Sequence, residues 1–133
     1  MLLVEADGKA LFAAYGIPVP PGRVLTAGER AERLPGTGPW MVKAQIPVGG
    51  RGKAGGIRRC DTQEAVTSAT AAMLGTRLKG LAVDAVLVEQ AARGEERYLA
   101  LMLDPRSYGV RAIYLAAGGM EVERAGTVGG RIC

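Results

Sequence analysis

Residues 49–56 read Gly-Gly-Arg-Gly-Lys-Ala-Gly-Gly, five glycines enclosing two cations. Glycine lets the backbone adopt positive φ and come close to a ligand without a Cβ clash. Successive N–H groups in such a loop form a concavity for anions. Arg51 and Lys53 add fixed positive charge, so phosphate is the guest that this chemistry suits. Lys43 stands just upstream, where a strand lysine before a phosphate flap can hold α- and β-phosphates as a point charge. Downstream, Val86-Leu87-Val88 ends in the polar pair Glu89-Gln90, an edge that can offer backbone groups to an adenine ring. Glu96 can accept hydrogen bonds from ribose hydroxyls. Each feature also has a plain alternative: a flexible hairpin tip, a solvated strand lysine, two surface glutamates.

The loop fits neither of two common phosphate motifs. Gly50-x-Gly52-x-x-Gly55 matches the dinucleotide fingerprint in letters, but that motif needs a helix directly afterwards. Here a strand pattern follows. The P-loop pattern fails because Ala54 stands after Lys53 and position 47 is Pro. What is left is a glycine-rich flap between two strands, of the kind that folds over nucleotide phosphates.

These residues need elements to position them. Val4 to Tyr15 has helical spacing, with Val4, Ala10, Leu11, Ala14 and Tyr15 on one face. Gly16 and the prolines at 18, 20 and 21 stop it. Arg23–Thr26 reads as a strand and Glu29–Leu34 as a short helix. Trp40–Gln45 alternates, placing Trp40, Val42 and Ala44 on one face and Met41, Lys43 and Gln45 on the other. Ile57–Cys60 is a strand. Asp61 and Glu64 form a capping box that opens a helix through Leu74, closed by Gly75. Ala85–Gln90, Glu96–Leu103 and Val110–Ala117 read as strands, and Gly118-Gly119 turns the chain into Met120–Glu123. Helices and strands mix, with consecutive strands late in the chain, so the fold class is α+β.

Composition excludes several functions. The chain of 133 residues has 48% hydrophobic and 23% charged residues, which marks it as globular, and it suits one compact portion. There is no histidine, so a Ser-His-Asp or Cys-His mechanism within the chain is ruled out. The two cysteines, Cys60 and Cys133, are too few for a disulfide framework or a metal cluster. No apolar run is long enough for a membrane span, and residues 1–7 lack a signal-peptide pattern. A cytoplasmic location is expected. A net charge of +4 suits an anionic ligand, yet the loop has no aromatics among its cations, which argues against nucleic acid.

Trp40-Met41-Val42-Lys43-Ala44-Gln45 followed by the loop from Gly49 to Gly56 closely resembles the signature of succinyl-CoA synthetase β subunits, which have an ATP-grasp fold. Lys9 to Pro18 is similar to the family's first helix. Leu87-Val88-Glu89 with Tyr98-Leu99 resembles its hinge, and Gly118 to Glu123 a later Gly-Gly element. The resemblance implies that residues 1–133 are a single N-terminal, incomplete ATP-grasp portion, a mixed or antiparallel sheet flanked by helices. It puts Lys43 and Gly50, Arg51 and Gly52 on ATP phosphates, Glu89 and Ala92 at the base, and Glu96 on the ribose. It implies ATP with Mg2+ whose protein ligands lie outside this chain, with no catalytic residue of its own. Pro20 is similar to the residue of adenine-preferring members at that place, so the resemblance implies ATP. Pro47 departs from the many bacterial members with histidine there.

The family is about three times longer, so the second half of the fold and a CoA-ligase domain are expected to be missing. The implied activity joins succinate and CoA at the expense of ATP, through a phosphohistidine on an α-type partner subunit. The fragment itself is expected to be inactive. Unpaired strand edges make a homodimer of the fragment an expectation as well. The alternative is a truncated non-catalytic paralogue, serving as a nucleotide-binding or protein-interaction module.

Overall fold

The computed structural model describes residues 2–106, 108–116 and 118, and the backbone of 129–131. The chain divides into two units, Met1–Ala92 and Arg93–Cys133. The predicted Met120–Glu123 strand and Cys133 lie outside the described residues.

The first unit is built on a four-stranded antiparallel sheet. Its strands are β1 (Gly22–Thr26), β2 (Trp40–Ala44), β3 (Ile57–Cys60) and β6 (Ala85–Gln90), in the order β1-β6-β2-β3. Period-2 alternation decides what each face carries. Val42 pairs with Val88, Ala44 with Val86, and Leu25 also with Val86, giving one apolar face. Helix α2 (Gln63–Met73) packs there, and its buried Val66, Ala69 and Met73 join Val42, Val86 and Val88 in the core. The opposite face carries Lys43 beside Leu87 and Met41 beside Glu89.

The start of α2 differs from the predicted capping box by one residue. Thr62 is the N-cap, extended at φ −131°, with its hydroxyl accepting from the N–H of Ala65 at 3.2 Å. Asp61 instead turns towards Arg59. The predicted Glu29–Leu34 helix does not form. Glu29 folds its carboxylate back onto the N–H and hydroxyl of Thr26, at 2.7 and 2.8 Å. A segment this short, ending before Pro35, gains too few helical hydrogen bonds to offset nucleation.

Helix α1 (Glu5–Ala14) occurs where its spacing predicts. None of its residues is buried; Leu11 is 49% and Tyr15 85% exposed. The side that carries Leu11 and Tyr15 is therefore not seated on the sheet, and polar groups hold the helix. One small hairpin escaped the sequence pattern: β4 (Arg77–Leu78) and β5 (Leu81–Ala82) turn through Lys79-Gly80. Both turn residues have positive φ, 51° and 81°, the twist that two-residue hairpins favour.

The second unit is a three-stranded antiparallel sheet, β7 (Tyr98–Asp104), β8 (Gly109–Leu115) and β9 (Gly129–Arg131), in that order. The β7–β8 register runs from Tyr98 opposite Leu115 to Asp104 opposite Gly109. Leu99, Leu101 and Leu103 share one face of β7 and stay exposed.

Two substitutions separate core from surface. Leu25 is 1% exposed, so Leu25→Ala is expected to lose about 3 kcal/mol of stability, transfer and cavity effects together. Leu103, at 82% exposed, is expected to change it by less than about 0.5 kcal/mol as Leu103→Ala. Urea denaturation of the two variants beside the parent checks both.

Candidate functional site

The polar face of the first sheet has to accommodate a buried carboxylate. Glu89 is 3% exposed, on the central strand β6 beneath α1. An unpaired charge there would be strongly unfavourable, so cations must meet it. Lys43, diagonal to it on β2, places Nζ 2.5 Å from Oε1. Lys9 of α1 reaches Oε2.

Lys43 and Lys9 are shared with a second carboxylate. Glu5, in the first turn of α1, accepts from Lys43 Nζ at 2.8 Å through Oε1. Its Oε2 accepts from Arg51 Nη2 at 2.6 Å. Lys9 stands 3.1 Å from Oε1, the i,i+4 partner on the same helix. Arg51 also donates through Nη1 to the carbonyl of Ala44 at 2.8 Å, anchoring the loop to β2. Gln45 completes the seat by accepting from the N–H of Ala6 at 2.9 Å and donating to the Lys43 carbonyl at 3.0 Å.

The electrostatics follow from that geometry. Burial alone would raise the Glu5 carboxyl. The Lys43 hydrogen bond, the charges of Lys43 and Lys9, and the Arg51 hydrogen bond outweigh it and bring the group down to about 2. Burial likewise works to lower Lys43, but hydrogen bonds and charge from Glu5 and Glu89 win and raise it. Both groups are therefore ionised at neutral pH.

The glycine loop is more closed than its sequence suggests. Gly50 and Gly55 take φ of 69° and 80°, which a side chain would resist. The N–H of Gly56 donates to the Arg51 carbonyl at 2.8 Å, that of Gly55 to Gly52 at 3.1 Å, and that of Ala54 to Arg51 at 3.2 Å. Those three groups, expected to face an anion, turn inward instead. Lys79 braces the loop from the β4–β5 turn by donating to the Gly49 carbonyl at 2.7 Å. A cavity of about 400 Å³ opens beside it, bordered by Glu5, Gly8, Pro47, Gly49 and Arg51.

Of the predicted site residues, Lys43, Arg51 and Glu89 come together on this face. Gly50 and Gly52 stand in the adjoining loop. Ala92 is exposed at the end of the first unit, and Glu96 is exposed in the second, its carbonyl accepting from Gly118 at 3.0 Å. At the end of β6 the N–H groups of Gln90 and Ala91 are engaged by the carbonyls of Pro21 and Pro39. Sequence reasoning missed Glu5 and Lys9. Their i,i+4 spacing was visible, but it reads as an ordinary surface pair on a helix.

With this geometry in view, comparison with known families decides the assignment. The ATP-grasp domain family matches residues 2–128. The chain belongs to the ATP-grasp domain family. It is 43% identical over 130 residues to the succinate–CoA ligase [ADP-forming] β subunit of Xylella fastidiosa strain 9a5c, covering 90% of this chain and 34% of that one. The β subunit of the same name from Xanthomonas euvesicatoria pv. vesicatoria is 41% identical over 131 residues, with the same coverage. This ATP-grasp chain thus spans about a third of the length of the curated relatives it matches.

A solved structure shares the fold. It is the dinucleotide-forming acetyl-coenzyme A synthetase 1 of Ca. Korarchaeum cryptofilum, in complex with coenzyme A, Ca-AMPCP and HgCl+. The TM-score is 0.60 at 21% identity, over 92% of this chain and 57% of that one. The predicted α+β, ATP-grasp class is therefore correct. No helix among the described residues is long and apolar enough to cross a membrane.

The depressed Glu5 carboxyl gives a pH dependence of definite sign. Its pKa falls from 4.5 to about 2 on folding, so its contribution is complete above about 4.5 and is lost as pH drops towards 2. Urea midpoints for the parent are expected to decline between pH 5 and 2.5, and Glu5→Gln to show a shallower decline. Glu89→Ala leaves Lys43 and Lys9 without their buried partner, and is expected to lose about 3 kcal/mol at neutral pH in the same assay.

Proposed function

We propose that this chain is the nucleotide-binding part of an ATP-dependent acid–CoA ligase β subunit of the succinate–CoA ligase type. The observation that carries the reading is the convergence of Lys43 and Arg51. One comes from a strand and the other from a glycine-rich loop, and they lie within 2.8 and 2.6 Å of a single carboxylate. Two cations that one carboxylate can span are spaced to serve two oxygens of a phosphate chain as well. Membership of the ATP-grasp family and the likeness to ADP-forming succinate–CoA ligase β subunits support the same reading.

In this proposal Lys43 and Arg51 neutralise the phosphates of ATP, and the loop from Gly50 to Gly52 lies over them. The work is electrostatic and positional, with no covalent step on this chain. Glu89 and Ala92 are proposed for the base end and Glu96 for the ribose. Among the described residues no group of three His, Cys, Asp or Glu side chains could hold a metal ion, so no step is assigned to magnesium here. Joining succinate and CoA, with a phosphohistidine carried by an α-type partner, belongs in this reading to the assembled ligase.

Calorimetric titration of ATP and magnesium into the chain, with Lys43→Ala as control, tests the proposal. Saturable binding by the parent and at least about a tenfold loss in the variant is the expected result. Equal binding by the two proteins, or no heat with either, would overturn the assignment of phosphate binding to this face.

A further inference from the structure

We propose that Glu5 is an internal stand-in for phosphate, and that α1 is a latch which nucleotide must lift. The inference rests on the reading of Lys43 and Arg51 as phosphate-binding cations and adds what those cations do before nucleotide arrives. Three observations on separate elements carry it.

The first is the bridging geometry. Both oxygens of the Glu5 carboxylate are committed, Oε1 to Lys43 at 2.8 Å and Oε2 to Arg51 at 2.6 Å. A phosphate bound by the same two cations would need the positions those oxygens fill. Carboxylate and phosphate therefore compete for one set of donors.

The second is how α1 is held. None of its residues is buried, so little apolar contact opposes its movement. The contacts that seat it are the ion pairs from Glu5 to Lys43 and Arg51, that from Lys9 to Glu89, and the hydrogen bond from the Ala6 N–H to Gln45. Replacing Glu5 by a better anion removes two of these ties, those to the strand and to the loop.

The third is the difference between the two carboxylates. Glu89 sits on the central strand with its side chain 4% exposed, whereas Glu5 is 19% exposed and borders the cavity beside the loop. Glu89 is fixed by the sheet and keeps Lys43 oriented. Glu5 is on the side that a ligand reaches, and it is the one that can leave. Glu5 thus sets how tightly the site takes a polyphosphate, by holding the cations in place and then exchanging with the ligand.

The test uses sodium tripolyphosphate, which has the phosphates without base or ribose, and ATP with magnesium beside it. Each is titrated calorimetrically into the parent chain, Glu5→Gln and Lys43→Ala. Glu5→Gln is expected to bind tripolyphosphate about tenfold more tightly than the parent, and Lys43→Ala to lose binding. Hydrogen exchange supplies the second readout: tripolyphosphate is expected to speed exchange of α1 amides in the parent, which a merely structural role for Glu5 would not do. If Glu5→Gln fails to fold, Glu5→Asp carries the test. It keeps the charge, shortens the reach to the two cations, and is expected to tighten binding by a smaller factor.

The outcomes separate the two ideas. Unchanged or weaker binding by Glu5→Gln, with Lys43→Ala still losing it, overturns the latch and leaves the phosphate site standing. Slower α1 exchange on binding also overturns the latch alone. Lys43→Ala binding as the parent does, or no binding by either parent or Glu5→Gln, overturns the phosphate site and the latch together.

Discussion

The arrangement of the first unit depends on burying the carboxylate of Glu89. A charge on the central strand of a sheet, 3% exposed, is tolerated only if cations meet it with good geometry. Lys43 comes from the neighbouring strand and Lys9 from a helix 80 positions away in sequence. Once Lys43 is fixed there, its other carboxylate partner, Glu5, is brought within reach of Arg51. One buried charge thereby ties a strand, a helix and a loop into a single polar assembly. None of the residues of α1 is buried, so among the described residues these polar contacts are what tie it to the sheet.

The sheet divides its labour between its faces. Val42, Val86 and Val88 face α2 and make the apolar core, which supplies most of the stability of the unit. Lys43 and Glu89 alternate with those same residues, so the strands that build the core also place the charges. A change of register by one residue would exchange core and charges together. The apolar packing on one side therefore fixes the geometry of the polar side, and a site built on strands is positioned more closely than one built on loops.

Short-range pattern made much of this legible. Alternation over Trp40–Gln45 places Lys43 opposite Val42, and the structure agrees. The glycine cluster reads as a loop between strands, and it is one, between β2 and β3. What could not be read depends on long-range contact or on competition between neighbours. Glu5 meets Lys43 across 38 positions and Arg51 across 46, and no spacing within α1 announces either. Thr62 displaced Asp61 as cap because its hydroxyl reaches the Ala65 N–H while Asp61 has Arg59 beside it. The helical pattern of α1 predicted the element, but not that its shared side stays uncovered, because periodicity reports which side chains share a side and not what covers them. The inward hydrogen bonds of Ala54, Gly55 and Gly56 were equally hidden, since glycine spacing says that a loop can curl but not where its N–H groups point.

The charge pattern also explains why the cations need partners from within the chain. Lys9, Lys43 and Arg51 face Glu5 and Glu89, three cations to two carboxylates, on a half-buried surface. Without the carboxylates, the three like charges would repel one another with little water to screen them. With both carboxylates in place, the cations are held at fixed separation and the cluster keeps a net positive charge. That residual charge still attracts an anion, while the fixed separation removes much of the ordering that binding would otherwise require. In the proposed reading such a site contains its own competitor, because the carboxylate that spaces Lys43 and Arg51 fills the positions that two phosphate oxygens would need.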